Sequence, residues 1–215
     1  MKKLKLLYLL FIILIMSVAI FPEEVPKEVE YPSNKLSLSA SNEVLYDRIP
    51  YTGKITINDM SYMNLKKGHL EGETFLENEN FKSSVNIVDG KLEGECIIKN
   101  IVLGKYVNYL IDFKNGEIKA IKYYNETLRY NFIFDSNGLG NGNLEDSDRN
   151  KKLEFKDGIA KQEWGYIKVS LGKRKDLIIY SYFDENSKLM SEDNTGLLIN
   201  REVIEKIWFK KMLLK

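Results

Sequence analysis

After Pro50, apolar and polar positions alternate with a period of two along much of the chain. Val107, Tyr109, Ile111 and Phe113 alternate with polar or smaller residues and end at Lys114-Asn115-Gly116. Leu128, Tyr130, Phe132 and Phe134 do the same and end at Asp135-Ser136-Asn137-Gly138, and Ile167, Val169 and Leu171 repeat the pattern before Gly172. Runs of this kind, rich in aromatic and β-branched residues and closed by Asn-Gly or Asp-Gly, predict antiparallel β-hairpins. All four prolines fall within the first fifty residues. Proline removes a ladder donor, so its absence afterwards agrees with a long paired sheet.

The turns recur. Aligned on Gly68, Gly90, Gly116, Gly138 and Gly158, the chain repeats at spacings of 22, 26, 22 and 20 residues. An apolar anchor precedes the glycine by three positions at Leu65, Ile87, Phe113 and Phe155, with Phe134 displaced by one. Leu70, Leu92 and Ile118 follow it by two, and a second glycine follows by four at Gly72, Gly94 and Gly142. "YFDENSK" reads as a sixth copy, with Phe183 as anchor and Asn186 in the left-handed position of the glycine. A unit of about 22 residues holds two strands and two turns, and a fixed period in this range marks an array whose units cannot bury their apolar faces alone.

The expected fold is therefore all-β: an antiparallel β-hairpin repeat array over residues 46–199, forming a single elongated twisted sheet. "NREVIEKIWFKKMLLK" departs from the pattern and predicts an amphipathic helix over 200–215. Val203, Ile204, Ile207, Trp208 and Met212 share one face, away from Lys206 and Lys210. Such a helix is expected to cap the last strand, as repeat arrays need atypical ends, although its basic residues and Trp208 also suit a membrane surface.

The N-terminus carries an address. "MKKLK" is a basic leader, and Leu6 to Phe21 is apolar apart from Ser17. Ser17-Val18-Ala19 supplies the small residues of a cleavage site after Ala19. Residues 1–19 are expected to be a signal peptide or an uncleaved N-terminal anchor, and residues 20–45, proline-spaced and then serine-rich, a flexible linker. The protein is expected to be periplasmic, secreted or N-terminally membrane-anchored, with membrane contact only through that anchor.

Charge and cysteine content narrow the function. The formal net charge is +1, and loss of Lys2, Lys3 and Lys5 with the leader brings it to −2. A near-neutral chain with interspersed charges has no footprint for nucleic acid. Cys96, the single cysteine, sits in "CIIKNIVL" and reads as a buried structural thiol. The single histidine, His69, lies in a predicted turn, and no G-x-S-x-G motif is present. "DSNGLGNGNLEDSD", residues 135–148, lacks the ligand spacing of a helix-loop-helix calcium site and reads as a long polar turn.

The carboxylates Glu71, Glu73, Glu93 and Glu95 repeat with the structural period, so equivalent acids occupy equivalent, solvated settings. Acid–base work needs two carboxyls in different environments. No catalytic, cofactor-binding or metal-binding residue is assigned on this reading.

"PYTGK", "GHLEGE", "GKLEGE", "FKNGEIK" and "YFDENSKLMSE" resemble the bacterial MORN-repeat-variant family, which includes the YwqK-type antitoxin-like proteins. The resemblance covers roughly residues 46–192. It implies a β-hairpin array that binds other macromolecules, and it carries over no catalytic residue. Combined with the leader, it points to an exported binding or scaffold module acting on a protein or other component of the bacterial envelope, antitoxin- or immunity-like in character. The alternative is an envelope hydrolase or metal-dependent enzyme using carboxylates of the repeat face. Tyr123 and Tyr124 are adjacent on one strand, so one must face outward, and that ring is expected to contact the partner.

Overall fold

The computed structural model describes residues 25–78, 81–102, 105–193 and 200–213, with side chains given except at 100–107, 207 and 210–213. The leader at residues 1–19 and the side chains of Val107, Ile207, Lys210 and Met212 lie outside the described residues.

In chain order the strands are β1 (Glu28–Glu30), β2 (Leu36–Leu38), β3 (Val44–Tyr46), β4 (Ile49–Pro50), β5 (Gly53–Thr56), β6 (Tyr62–Lys66), β7 (His69–Leu70), β8 (Gly72–Asn78), β9 (Phe81–Val88), β10 (Lys91–Leu92), β11 (Gly94–Val102) and β12 (Lys105–Lys114). They continue as β13 (Glu117–Tyr124), β14 (Leu128–Phe134), β15 (Gly140–Asp146), β16 (Lys151–Phe155), β17 (Ile159–Gln162), β18 (Gly165–Leu171), β19 (Ile178–Phe183) and β20 (Leu189–Asp193), before helix α1 (Arg201–Leu213). The fold is all-β, with antiparallel hairpins and one C-terminal helix. A long sheet runs β1-β5-β6-β8-β9-β11-β12-β13-β14-β15-β16, parallel only where β1 meets β5. Strands β17–β20 form a second sheet and β2–β4 a third.

The repeated letters describe one device. At Lys67-Gly68, Asp89-Gly90, Asn115-Gly116 and Asp157-Gly158 both residues have positive φ, the geometry of a tight turn that matches strand twist. His69-Leu70 and Lys91-Leu92 then pair back on the preceding strand. Gly72 and Gly94, again at positive φ, swing the chain into the next long strand. The anchors Leu65, Ile87, Phe113, Phe134 and Phe155 and the following Leu70, Leu92 and Ile118 are all buried. Alternation sets the rest: Ile111, Ile121 and Phe132 point inward, while Leu110, Lys122, Asn131, Asn143 and Glu154 form an outward row across registered strands.

Four expectations are corrected. First, the long sheet ends at β16. Beyond it the Asp157-Gly158 hairpin keeps one bridge, Lys156 to Ile159, and the chain folds back over the inward face. There Gly158 and Gly138 carbonyls accept the Val169 and Leu171 amides at 2.8 and 2.7 Å. Gly140 permits this approach, because a Cβ there would lie 3.0 Å from both Phe134 and Val169.

Second, residues 25–45 are not a flexible linker. Val29 and Val44 are buried, β1 pairs with β5, and the Val44 amide donates to the Gly68 carbonyl at 2.8 Å. Third, residues 135–148 are not one long polar turn. A turn ends at Gly138, and β15 follows in the sheet, its Gly142 lying where any Cβ would strike the Asn131 carbonyl. Fourth, Ser187 and not Asn186 takes the left-handed position in the last copy. Its turn duplicates the earlier one: Asp135 accepts from the Asn137 and Leu139 amides, and Asp184 accepts from those of Asn186 and Lys188.

Helix α1 is N-capped by Asn200, whose side-chain oxygen accepts from the Val203 amide at 3.0 Å. It packs near β2 and β7 with Ile204, Trp208 and Phe209 buried and Lys206 exposed. Ile204 and Trp208 of the expected apolar face are thus covered together with Phe209, but beside β2 and β7 of the first repeat, where the expectation was a cap on the last strand. Among the described residues, no helix is long and apolar enough to cross a membrane.

Candidate binding cleft

The chemistry-bearing residues separate into structural groups and one cleft. Glu71 accepts from the Asp89 and Gly90 amides at 2.8 and 3.1 Å, and Glu93 accepts from the Asn115 amide at 2.5 Å. Thr52 and Asn141 hold the Lys67 and Asp157 amides in the same way. Each of these four residues precedes a glycine, Gly53, Gly72, Gly94 or Gly142, and each ties the first amide of a later turn. The repeated carboxylates are therefore not merely solvated: two of them join neighbouring repeats. Glu73 and Glu95 lie on the outer side of an open groove with Tyr62 and Phe75.

His69 lies between two acids, with Nε2 3.5 Å from Glu43 and Nδ1 3.4 Å from Glu205. Glu205 is 4% exposed, accepts from the Leu70 amide at 2.9 Å and faces Arg201 at 3.6 Å. This cluster fastens α1 to the first "GHLEGE" turn. Cys96 is buried, and burial pushes its thiol up to about 12, which removes the thiolate needed for nucleophilic attack. Among the described residues, no group of three or more histidines, cysteines and acids is arranged to hold a metal ion.

The cleft lies between the inward face of β12–β16 and the face of β18–β20 folded over it, and has a volume of about 420 Å³. Tyr109, Tyr123 and Tyr130 are cross-strand partners, with ring centroids 4.8 Å apart at each step. Tyr180 and Tyr182, two positions apart on β19, face them from the second sheet. Tyr130 and Tyr180 face each other across the gap, close enough for their phenols to interact. Leu128, Leu144 and Leu153 add apolar surface, and Asp146, Arg149, Lys151 and Asp193 bring charge.

Burial, with Tyr123 nearby, pushes the Tyr109 phenol up to about 12. Burial also holds Tyr130 and Tyr180 far above the ordinary phenol range. Burial and then Asp193 raise Tyr182, which Arg149 partly offsets. These four phenols are thus neutral at any physiological pH, each able to donate and to accept.

Of the expected pair, Tyr123 is the inward ring of this cleft, while Tyr124 is 47% exposed on the opposite face, in register with Asn108 and Arg129. Sequence reasoning set Tyr109 and Tyr130 in alternating runs but missed Tyr180, Tyr182, Asp146 and Asp193. The available sign was the alternation of Tyr180 and Tyr182, which shows a shared face but not the face opposite. No protein-family model, no curated protein and no solved structure matches the chain.

Proposed function

We propose that this chain is an exported, non-catalytic binding module of the bacterial envelope. We further propose that it is a MORN-variant hairpin array that captures another envelope macromolecule through the tyrosine cleft. The observation that carries the reading is the cleft itself: five tyrosines from two sheets around one opening. Aromatic rings with polar tips suit contact with a partner at low conformational cost. The repeat glutamates support the same reading, since Glu71 and Glu93 are engaged with turn amides. The basic leader and the small residues before Ile20 support export.

The test is affinity capture from envelope extract with the full chain. Tyr182→Ala, at the mouth of the cleft, should lose the captured partner, and Tyr124→Ala should retain it. In the same fraction, mass spectrometry should find an N-terminus at Ile20 or an intact anchored chain. Capture that follows Tyr124 and ignores Tyr182 would overturn the cleft reading, and recovery only from soluble cytoplasm would overturn export.

A further inference from the structure

The chemistry of the cleft narrows what enters it. Most of its lining sits on the faces of strands paired in the ladders joining β12 to β16 and β18 to β20. A strand-like peptide binds by adding to a free edge, and the edges here, β16 and β20, border the cleft and supply few of its polar groups. The polar groups offered are side chains, chiefly phenols that both donate and accept.

Charge decides next. Asp146 and Asp193 oppose Arg149 and Lys151, so the cleft is neutral as a whole. Arg149 lies 3.7 Å from Asp146, and Lys151 donates to the Gln162 side chain at 2.6 Å. A polyanion or polycation gains no net attraction from such a set. A purely apolar chain would strip water from the phenols and carboxylates without replacing its hydrogen bonds, which costs free energy for each group.

The remaining complement is a ligand without net charge that carries C–H faces together with hydroxyls able to donate and accept. Resting on the reading of the cleft as the capture site, we infer that it binds uncharged pyranose units of a glycan chain. The volume of about 420 Å³ falls in the range of small-ligand sites, about 300 to 1,000 Å³. Tyr hydroxyls meet ring hydroxyls, the carboxylates of Asp146 and Asp193 accept from them, and the leucines and aromatic surfaces cover the C–H faces.

The experiment is a titration of the full chain with uncharged tetrasaccharides of glucose and of N-acetylglucosamine, followed by calorimetry. A tetrasaccharide of galacturonic acid and a basic tetrapeptide serve as charged probes. Saturable binding of at least one neutral sugar is expected. It should weaken by about three- to tenfold in Tyr182→Phe, which removes one hydroxyl and keeps the ring, further in Tyr182→Ala, and not at all in Tyr124→Ala. Circular dichroism of each variant checks that the fold is kept. The inference is overturned if neither neutral sugar binds, if a charged probe binds more tightly, or if both Tyr182 variants bind like the parent. Should the sugars fail while partner capture still depends on Tyr182, the cleft remains the capture site and its ligand is of another chemistry.

Discussion

Glu71 and Glu93 occupy the same place in consecutive repeats, 22 residues apart, and each accepts from the amide that opens the next turn. Hydrogen bonds to an ionised acceptor contribute roughly 1.5 to 3 kcal/mol when protected and less in water. Glu93→Ala is therefore expected to cost about 1 kcal/mol, read as a lower urea midpoint, with faster hydrogen exchange at the Asn115 amide. Glu93→Gln keeps an acceptor and should cost less. Unchanged exchange at Asn115 in the alanine variant would show that the contact does not hold the turn. At this scale the turn glycines were legible because a tight turn with two positive φ values admits few residues. The staples were not, because their partners lie 15 to 22 residues away along the chain. Asn186 misled for a related reason. The Asp184 carboxylate sets that turn from its first residue, which moves the left-handed position to Ser187.

Among the elements, α1 was foreseeable from its apolar face. Its attachment was not. Ile204, Trp208 and Phe209 are buried, and full burial of such side chains contributes about 1.5 to 3 kcal/mol each. Glu205 adds the polar half of the joint, since it is the buried acceptor for Leu70 and the acid between His69 and Arg201. Glu205→Ala leaves the Leu70 amide without its buried acceptor and removes the carboxylate beside Arg201, and is expected to destabilise the fold by about 2 to 3 kcal/mol. Glu205→Gln, which retains an acceptor, should lose less. The readout is direct: of the two tryptophans, Trp164 is 81% exposed and Trp208 is buried, so undocking red-shifts and quenches the Trp208 emission. Retention of the buried emission in Glu205→Ala at the parent's urea midpoint would refute the joint. Strand β15 was missed because Gly140 and Gly142 interrupt the apolar alternation. The glycines are there for closeness, one beneath β18 and one against the neighbouring strand.

For the whole molecule, the covering second sheet has a consequence for pH. Tyr109, Tyr130 and Tyr180 keep their protons in the folded state to higher pH than in the unfolded chain, chiefly through burial. Below the unfolded phenol value, about 10, both states are protonated and stability is unaffected. As pH rises past it, the unfolded chain releases protons that the fold retains. Stability should then fall by about 1.4 kcal/mol per pH unit for each such phenol. Urea midpoints between about pH 9 and pH 11 should show this decline, and ultraviolet titration of tyrosinate should show part of the 13 tyrosines ionising late. A titration in which every tyrosine ionises together near 10 would contradict the buried cleft.

The sequence by itself determined the alternating strands of the repeat, the five turns at Gly68, Gly90, Gly116, Gly138 and Gly158, and the parity of side chains along those strands. All of these follow from local rules, a side-chain period of two and the few residues that accept positive φ. Hence Tyr123 and Tyr124 had to point to opposite faces, and the anchors before each glycine had to point the same way. Only the tertiary structure decided which face became the inside and what covered it. Tyr180 meets Tyr130 across 50 residues of chain, on a sheet that turns back after the Asp157-Gly158 hairpin opens. Alternation says that two residues share a face, but it carries no information about which other face will fold onto them. That depends on carbonyls freed at Gly138 and Gly158, on the room left by Gly140, and on the apolar area still exposed when the long sheet ends.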